Sequence, residues 1–277
     1  MKTENEGGIS IASVAGTVLR LLGADGGLEP GAAAADERVL AGAPGGRVKK
    51  VLVYAPDAIG LGMVGRLPGL FNELDSAGFL KFPVRSVFPP KTPVCFASMF
   101  SGLAPEGHGI RRYEKPALAC KTVFDALPAA GLRAAIVAVK DSSIDLIFKG
   151  RKADYFSEPD DKAATARALE LIAAGAHDLL LVYHQEYDDL LHAGDPWGQA
   201  AKEAVERHVR AFQALAEAFD KRWAGVPRAV LFAPDHGAHK DPATGQGAHG
   251  DDCSEDMDVL HFWKFRPGDS GLDKGTN

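Results

Sequence analysis

Apolar residues fall along the chain in short runs bounded by charges and turn residues. Residues 9–23 (ISIASVAGTVLRLLG) place Ile11, Val14, Val18, Leu21 and Leu22 at helical spacing and close on Gly23, which predicts one short amphipathic helix with a glycine stop. The following stretch, 24–47, is rich in Gly, Ala, Pro and acids and predicts a surface linker, interrupted by a turn of helix at 32–41. From Lys49 the pattern changes. KKVLVYAPDAIG, LRAAIVAV (132–139), HDLLLVYH (177–184) and PRAVLFAPDH (227–236) are uninterrupted apolar runs, as expected of parallel strands covered on both faces. DVLHFWKF (258–265) reads as a further strand. Helical stretches near 120–130, 160–175 and 196–224 separate the runs, and Ala200, Ala204, Val205, Val209, Phe212 and Leu215 draw the apolar stripe of the last. Strands alternating with helices predict an α/β fold, a mostly parallel central sheet with helices on both faces.

Composition narrows the picture. With 277 residues, 46% hydrophobic and 25% charged, the chain has the make-up of a globular protein, not of a disordered, coiled-coil or fibrous one. One domain over 1–277 is expected, with helix 9–23 and linker 24–47 ahead of a core at 48–265. A net charge of −6 argues against a nucleic-acid-binding face, and an anionic substrate must then be met by a local positive centre. Cys95, Cys120 and Cys253 make neither a disulfide framework nor a CxxC pair, which predicts a reducing, cytoplasmic setting. The opening MKTENEGG is not a secretory leader, and no window approaches 18 apolar residues, so no membrane segment is expected.

In an open α/β sheet, ligands bind beyond the carboxyl ends of the strands. Asp57 follows VLVYAP, Asp188 and His192 follow LLLVYH, and Asp235 with His236 follows VLFAP. Each aspartate alone is equally well read as a helix N-cap; their convergence is the signal. Asp188 and His192 are four apart, on one face if the segment is helical. His249 sits between small residues in GAHGDD. Six carboxylate and imidazole donors exceed one tetrahedral zinc and suit two sites, with zinc first and manganese or iron next. Two such ions clamp the attacking and leaving oxygens of a displacement at phosphorus. Ahead of them, in SVFPPKTPVCFASMFSGLAPEGHGI, Thr92 is expected as an N-cap and Pro93 as the first helical residue. There free N–H groups would favour an anion, and a metal can activate the hydroxyl. A capping threonine without chemistry is the alternative.

These segments, in this order, resemble the alkaline phosphatase superfamily, in particular its type I phosphodiesterase/nucleotide pyrophosphatase branch. FPPKTPVCFASMFSGLAPEGHGI is similar to the family's nucleophile segment, Tyr183 through Asp188 and His192 to Pro196 to its YxxxxDxxxHxxGP, and Asp235, His236 and His249 to its SDHG and HG segments. The resemblance implies that Asp188, His192 and His249 hold one divalent cation, and that Asp57, Asp235, His236 and the Thr92 oxygen hold the other. Thr92 would attack phosphorus, and water would hydrolyse the phosphothreonine. The implied activity is a phosphodiesterase or nucleotide pyrophosphatase acting on a small-molecule phosphate ester. The alternatives are a phosphomonoesterase, phosphonate hydrolase or phosphomutase on the same centre, or a non-catalytic homologue. His108 and Gly109 are expected as a structural turn and His239 outside the ligand set, while Tyr183, His184 and Glu186 are expected as neighbours of the site. Cys95 stands where related phosphodiesterases often carry Asn, which leaves the oxyanion contact open; Arg111, Arg112 or Tyr113 could replace it, although two arginines after a turn are more often surface residues. No Cys-x-Pro-Ser-Arg signature is present, which disfavours a sulfatase. In relatives, a segment similar to IASVAGTVLRLLG follows the last metal histidine; its position at 11–23 here suggests a circular permutation, which requires helix 9–23 to pack beside strand 258–265.

Overall fold

The computed structural model describes residues 8–268; residues 1–7, within the stretch read above as no secretory leader, lie outside the described residues. In chain order, β1 (Ile9–Ser10), α1 (Ser13–Leu22) and α2 (Glu37–Leu40) precede β2 (Lys50–Pro56), α3 (Leu61–Arg66), α4 (Pro68–Ser76) and β3 (Leu80–Arg85). Next come α5 (Thr92–Ser101), α6 (Pro105–His108), α7 (Val123–Ala129), β4 (Ala134–Val139), α8 (Ser143–Ile147) and β5 (Asp154–Glu158). Then follow α9 (Asp161–Ala174), β6 (Leu179–His184), α10 (Glu186–Ala193), α11 (Gln199–Arg222) and β7 (Arg228–Phe232). A small hairpin of β8 (His239–Lys240) and β9 (Gly247–Ala248), then α12 (Ser254–Met257) and β10 (Asp258–Arg266), complete the described chain.

Eight strands form one sheet in the order β1-β3-β10-β7-β2-β6-β4-β5. β10 runs antiparallel to both its neighbours, and the other pairings are parallel. Alternation along the strands feeds two cores. Val51, Val53, Leu181 and Leu231 face α1, α5, α7 and α8, whereas Leu52, Tyr54, Val182 and Phe232 face α9 and α11. Both faces are thus dry, and the strands read as unbroken apolar runs for that reason. Because β2, β3, β4, β6 and β7 point the same way, their carboxyl ends share one edge.

Several expectations shift. Ile9 and Ser10 pair with Val84 and Arg85 as a strand, so the first helix starts only at Ser13; Gly23 closes it in the left-handed region, φ 72°. The expected linker at 24–47 is docked rather than draped. Ala33 N–H donates to Gly102 O (2.7 Å), a Cβ on Gly16 would lie 2.8 Å from Ala35 N, and Val39, Leu40 and Ala43 are buried. Strands β3 and β5 and helices α3 and α4 had no counterpart in the apolar pattern. The juxtaposition that a permuted chain requires is met only through a shared core: α1 lies in the same apolar cluster as Val259 and Trp263, while β3 intervenes between β1 and β10. Among the described residues no helix is long and apolar enough to cross a membrane.

Candidate metal centre

The edge formed by the strand ends gathers all seven expected residues. β2 and β7 are paired in register at Tyr54 and Phe232, and three residues beyond each stand Asp57 and Asp235. At the intervening turn Ala58 takes a left-handed conformation, φ 62°, which aims its N–H at Asp235 Oδ1 (3.2 Å). Asp57, Asp235 and His236 form one buried group, with His236 Nε2 3.5 Å from Asp57 Oδ1 and 3.4 Å from Asp235 Oδ2. Asp188, His192 and His249 form a second, with Asp188 Oδ1 3.5 Å from His192 Nε2 and 3.4 Å from His249 Nε2. Stacked rings of His236 and His249, 4.1 Å between centroids, join the two.

The hydrogen bonds around these histidines decide their tautomers. His236 Nδ1 faces Gly237 O (3.0 Å), His192 Nδ1 faces Gly247 O (3.2 Å) and His249 Nδ1 faces Pro90 O (2.8 Å). A carbonyl only accepts, so each Nδ1 carries a proton, and in its neutral form each ring turns an Nε2 lone pair into the site. His192 Nε2 and His249 Nε2 confront each other at 3.0 Å, lone pair to lone pair when both rings are in that form. The buried oxygens Asp188 Oδ1 and Asp235 Oδ2 have no hydrogen-bond partner. Opposed lone pairs and orphaned carboxylate oxygens, with Nδ1 anchored to backbone, are the arrangement that a cation resolves.

Electrostatics agree. Burial, then the charge of Asp235, pushes Asp57 well above the usual carboxylate range, and burial with the charge of Asp188 does the same to Asp235. Burial holds His236 well below the usual imidazole value, and the neighbouring His249 adds to it. At Asp188 burial opposes ionisation, and positive charge on His249, His236 and His192 is what would outweigh it and hold the carboxyl below its ordinary value. Tyr183 Oη–H donates to Asp57 Oδ2 through a short hydrogen bond.

Thr92 is the first residue of α5, not its cap; Lys91 is the cap, and Pro93 is the second helical residue. The displacement frees the hydroxyl, which makes no capping bond and lies 3.4 Å from both Asp57 Oδ1 and His236 Nε2. At this terminus Val94 N and Cys95 N both donate to Lys91 O (2.9 Å each), which leaves the Thr92 N–H as the one helix-start amide without a partner among the described residues. Thr92 opens on a polar cavity of about 140 Å³, where Lys115 and Lys140 are set among Asp57, Asp141, Asp188 and Asp189, with Tyr113 and Ser142 also in the wall. Lys115 Nζ donates to Asp141 O (3.0 Å), where Asp141 holds a left-handed turn, φ 61°. A neighbouring cavity of about 400 Å³ shares Gln185 and Asp189 with it.

Of the residues that could replace the missing Asn, Tyr113 lines the cavity, while Arg112 turns to Glu114 (2.9 Å) and Arg111 is exposed. Cys95 is buried in the core and accepts from Ser86 Oγ (3.1 Å). His108 closes a turn, with Nδ1 accepting from Ile110 N and Nε2 on Ser98 Oγ (2.9 Å). His239 belongs to neither metal group and rests on Asp256 (2.8 Å). Tyr183 touches the site, but the next residue, His184, projects to the other face of the sheet, and Glu186 pairs with Arg207. Lys140 and Asp141 were missed, although the strand-end rule applied to β4 finds them.

Comparison with solved structures returns the same fold. Phosphonoacetate hydrolase from Sinorhizobium meliloti, in complex with phosphonoacetate, is 19% identical with a TM-score of 0.53, over 71% of this chain and 58% of that one. Murine ectonucleotide pyrophosphatase/phosphodiesterase 5 is 20% identical with a TM-score of 0.53, over 69% and 58%. The C-terminal periplasmic domain of a phosphoethanolamine transferase from Campylobacter jejuni is 14% identical with a TM-score of 0.56, over 79% and 80%. The chain thus spans a little under three fifths of the first two neighbours. No curated protein matches it. Residues 65–264 match the family model of type I phosphodiesterases/nucleotide pyrophosphatases, and the chain belongs to that family, within the alkaline phosphatase superfamily.

Proposed function

We propose that this protein hydrolyses phosphate esters of small molecules, phosphodiesters or pyrophosphates first, with Thr92 as nucleophile and two divalent cations, zinc first. The observation that carries the reading is the set of inward Nε2 lone pairs facing carboxylate oxygens around the uncapped Thr92 hydroxyl. Asp57, Asp235, His236 and the Thr92 oxygen would hold one ion; Asp188, His192 and His249 would hold the other. When bound, such ions neutralise the buried carboxylates, acidify a coordinated hydroxyl and stabilise charge on a phosphoryl oxygen.

The chain's own residues do the rest. Lys115 and Lys140 draw the anionic group into the polar cavity, and the short α5 turn fixes Thr92 Oγ1 at its floor. Thr92 Oγ1 bonds to phosphorus as the bond to the leaving oxygen breaks, and the hydroxyl proton passes through solvent to the departing oxygen. Water then attacks the phosphothreonine, the Oγ1–phosphorus bond breaks, and Thr92 regains its proton. The 400 Å³ cavity beyond Gln185 and Asp189 offers room for the second ester arm.

A second reading, a phosphonate hydrolase or phosphomonoesterase, is favoured by one observation: the cavity at Thr92 holds only about 140 Å³ and its walls are polar. Hydrolysis of bis(p-nitrophenyl) phosphate against p-nitrophenyl phosphate, with zinc or manganese added, separates the two. Thr92→Ala is expected to cost at least about 10³-fold in turnover, the scale of losing one member of a catalytic unit, with metal content intact. An unchanged rate would remove Thr92 as nucleophile.

A further inference from the structure

Behind the second metal group lies a polar cluster to which the proposed reaction assigns no chemistry, although one member, Asp161, also lines the 400 Å³ cavity. Helix α10 carries Asp188 and His192, yet its cap residue Gln185 makes no side-chain capping bond. The first amides of a helix need acceptors, and here they come from two other helices. Asp161 at the start of α9 takes Gln185 N on Oδ1 (3.0 Å) and Glu186 N on Oδ2 (2.9 Å). His208 of α11 takes Tyr187 N on Nε2 (3.1 Å).

One chain of hydrogen bonds fixes every proton in this cluster. Because His208 Nε2 accepts, its proton is on Nδ1, which donates to Tyr54 Oη (3.1 Å). Tyr54 Oη–H in turn donates to His184 Nδ1 (2.8 Å), so His184 carries its proton on Nε2 and donates to Thr165 Oγ1 (3.1 Å). Thr165 Oγ1–H ends the chain on Asp161 O (2.9 Å), on the residue that grips α10. Asp161, His184 and His208 bring donor atoms close enough for a metal, but their nitrogens are already spent in this chain. The cluster is a clamp, not a third metal site.

We infer that Asp161 and His208 are positioning residues: they set the start of α10 and so hold Asp188 and His192 against His249. The inference rests on the metal reading above for its consequence, but not for its geometry. Its test uses the full chain with zinc as the probe, in wild type, His208→Leu and His208→Gln. Two measurements are made: stepwise removal of zinc by a competing chelator, and hydrogen exchange of amides 185–187 in metal-free protein. In His208→Leu, exchange at Tyr187 should quicken and zinc in the Asp188 group should be released about 10-fold more readily, with the Asp57 group unchanged. Glutamine keeps an acceptor for Tyr187 N–H and should restore both. Wild-type exchange at 185–187 in the leucine variant would overturn the clamp, and equal weakening of both zinc steps would reduce His208 to general stability. Asp161→Asn supplies the same comparison should the leucine variant not fold. Wild-type protein that takes up no zinc would sink the metal reading alone, and the exchange data would still decide the clamp.

Discussion

The two donor groups are built in different ways. Asp57, Asp235 and His236 extend from neighbouring strands whose register places the two aspartates abreast, and the group is sealed from solvent. Asp188, His192 and His249 come from a short helix and a loop, and the His192 side chain is 46% exposed. Strand pairing fixes the first group with the same hydrogen bonds that fix the sheet. The second needs dedicated fastenings: Asp161 and His208 on α10, and Asp256, whose Oδ2 takes Gly250 N (2.8 Å) and Asp251 N (2.9 Å) beside His249. One group is therefore positioned by the fold itself, and the other by a few separable contacts.

The largest effect tests this division directly. Asp235→Asn should cost at least about 10³-fold in turnover and should resist rescue by excess metal, because its neighbours are sealed and cannot rearrange. His192→Ala, at the exposed group, should cost about 10- to 100-fold, with partial recovery as metal concentration rises. Equal losses with equal rescue, measured as kcat against added zinc, would erase the distinction. A smaller effect is expected from Asp256→Asn, which loosens the amides after His249: about a 10-fold loss of metal affinity at the second group and none at the first. Chelator titration in two steps reads this, and weakening of the Asp57 group instead would show that Asp256 serves the whole edge.

Each group also has a buried neutral histidine behind it. His208 supports α10, and His261 Nε2–H donates to Pro234 O (3.0 Å), one residue before Asp235. Burial pulls both down to about 4. An unfolded histidine titrates near 6.5, so between about 6.5 and 4 the unfolded chain binds more protons. The stability these neutral histidines contribute is full above the unfolded value and is lost as pH falls through that window, at on the order of 1 kcal/mol per pH unit for each. Urea midpoints at pH 7 and pH 5 should converge when His208→Gln or His261→Gln is compared with wild type. A wild-type difference that survives both substitutions would assign the acid sensitivity elsewhere.

The same contrast explains what the sequence disclosed. VLVYAP and VLFAP announce buried strands because both faces of the sheet are covered, so Asp57, Asp235 and His236 are legible as strand-end residues. Asp188 and His192 are legible because i, i+4 is a helical neighbour relation. The Thr92 hydroxyl was placed one residue off, since Thr-Pro before an apolar run fits a cap and a first turn equally well. β3 (LKFPVR) carries Pro83 and exposed residues, and β5 (DYFSE) is an edge strand with no fully buried position, so neither shows a strand's apolar run. Asp161 and Asp256 were invisible for another reason. Each grips amides outside its own helix, Asp161 those of α10 across 24 and 25 residues of sequence and Asp256 those of the loop after His249, and a lone acid near a helix start looks the same whether it caps its own helix or holds another segment.

The smallest expected effect checks whether α10 is held from inside or outside. Arg207 forms a two-pronged pair with Glu186 on the exposed side of the helix, at 2.7 and 2.9 Å, with side chains 52% and 38% exposed. Water screens such a pair, and ordering two long side chains costs entropy, so exposed pairs contribute roughly 0.2–1 kcal/mol. The Glu186 amide is held by Asp161 regardless of what its carboxylate does. Arg207→Gln should accordingly shift the urea midpoint only slightly and leave zinc release and exchange at 185–187 as in wild type. If instead zinc in the Asp188 group loosens as much as in His208→Leu, then the outer ion pair carries the register of α10, and the buried clamp would lose its claim to it.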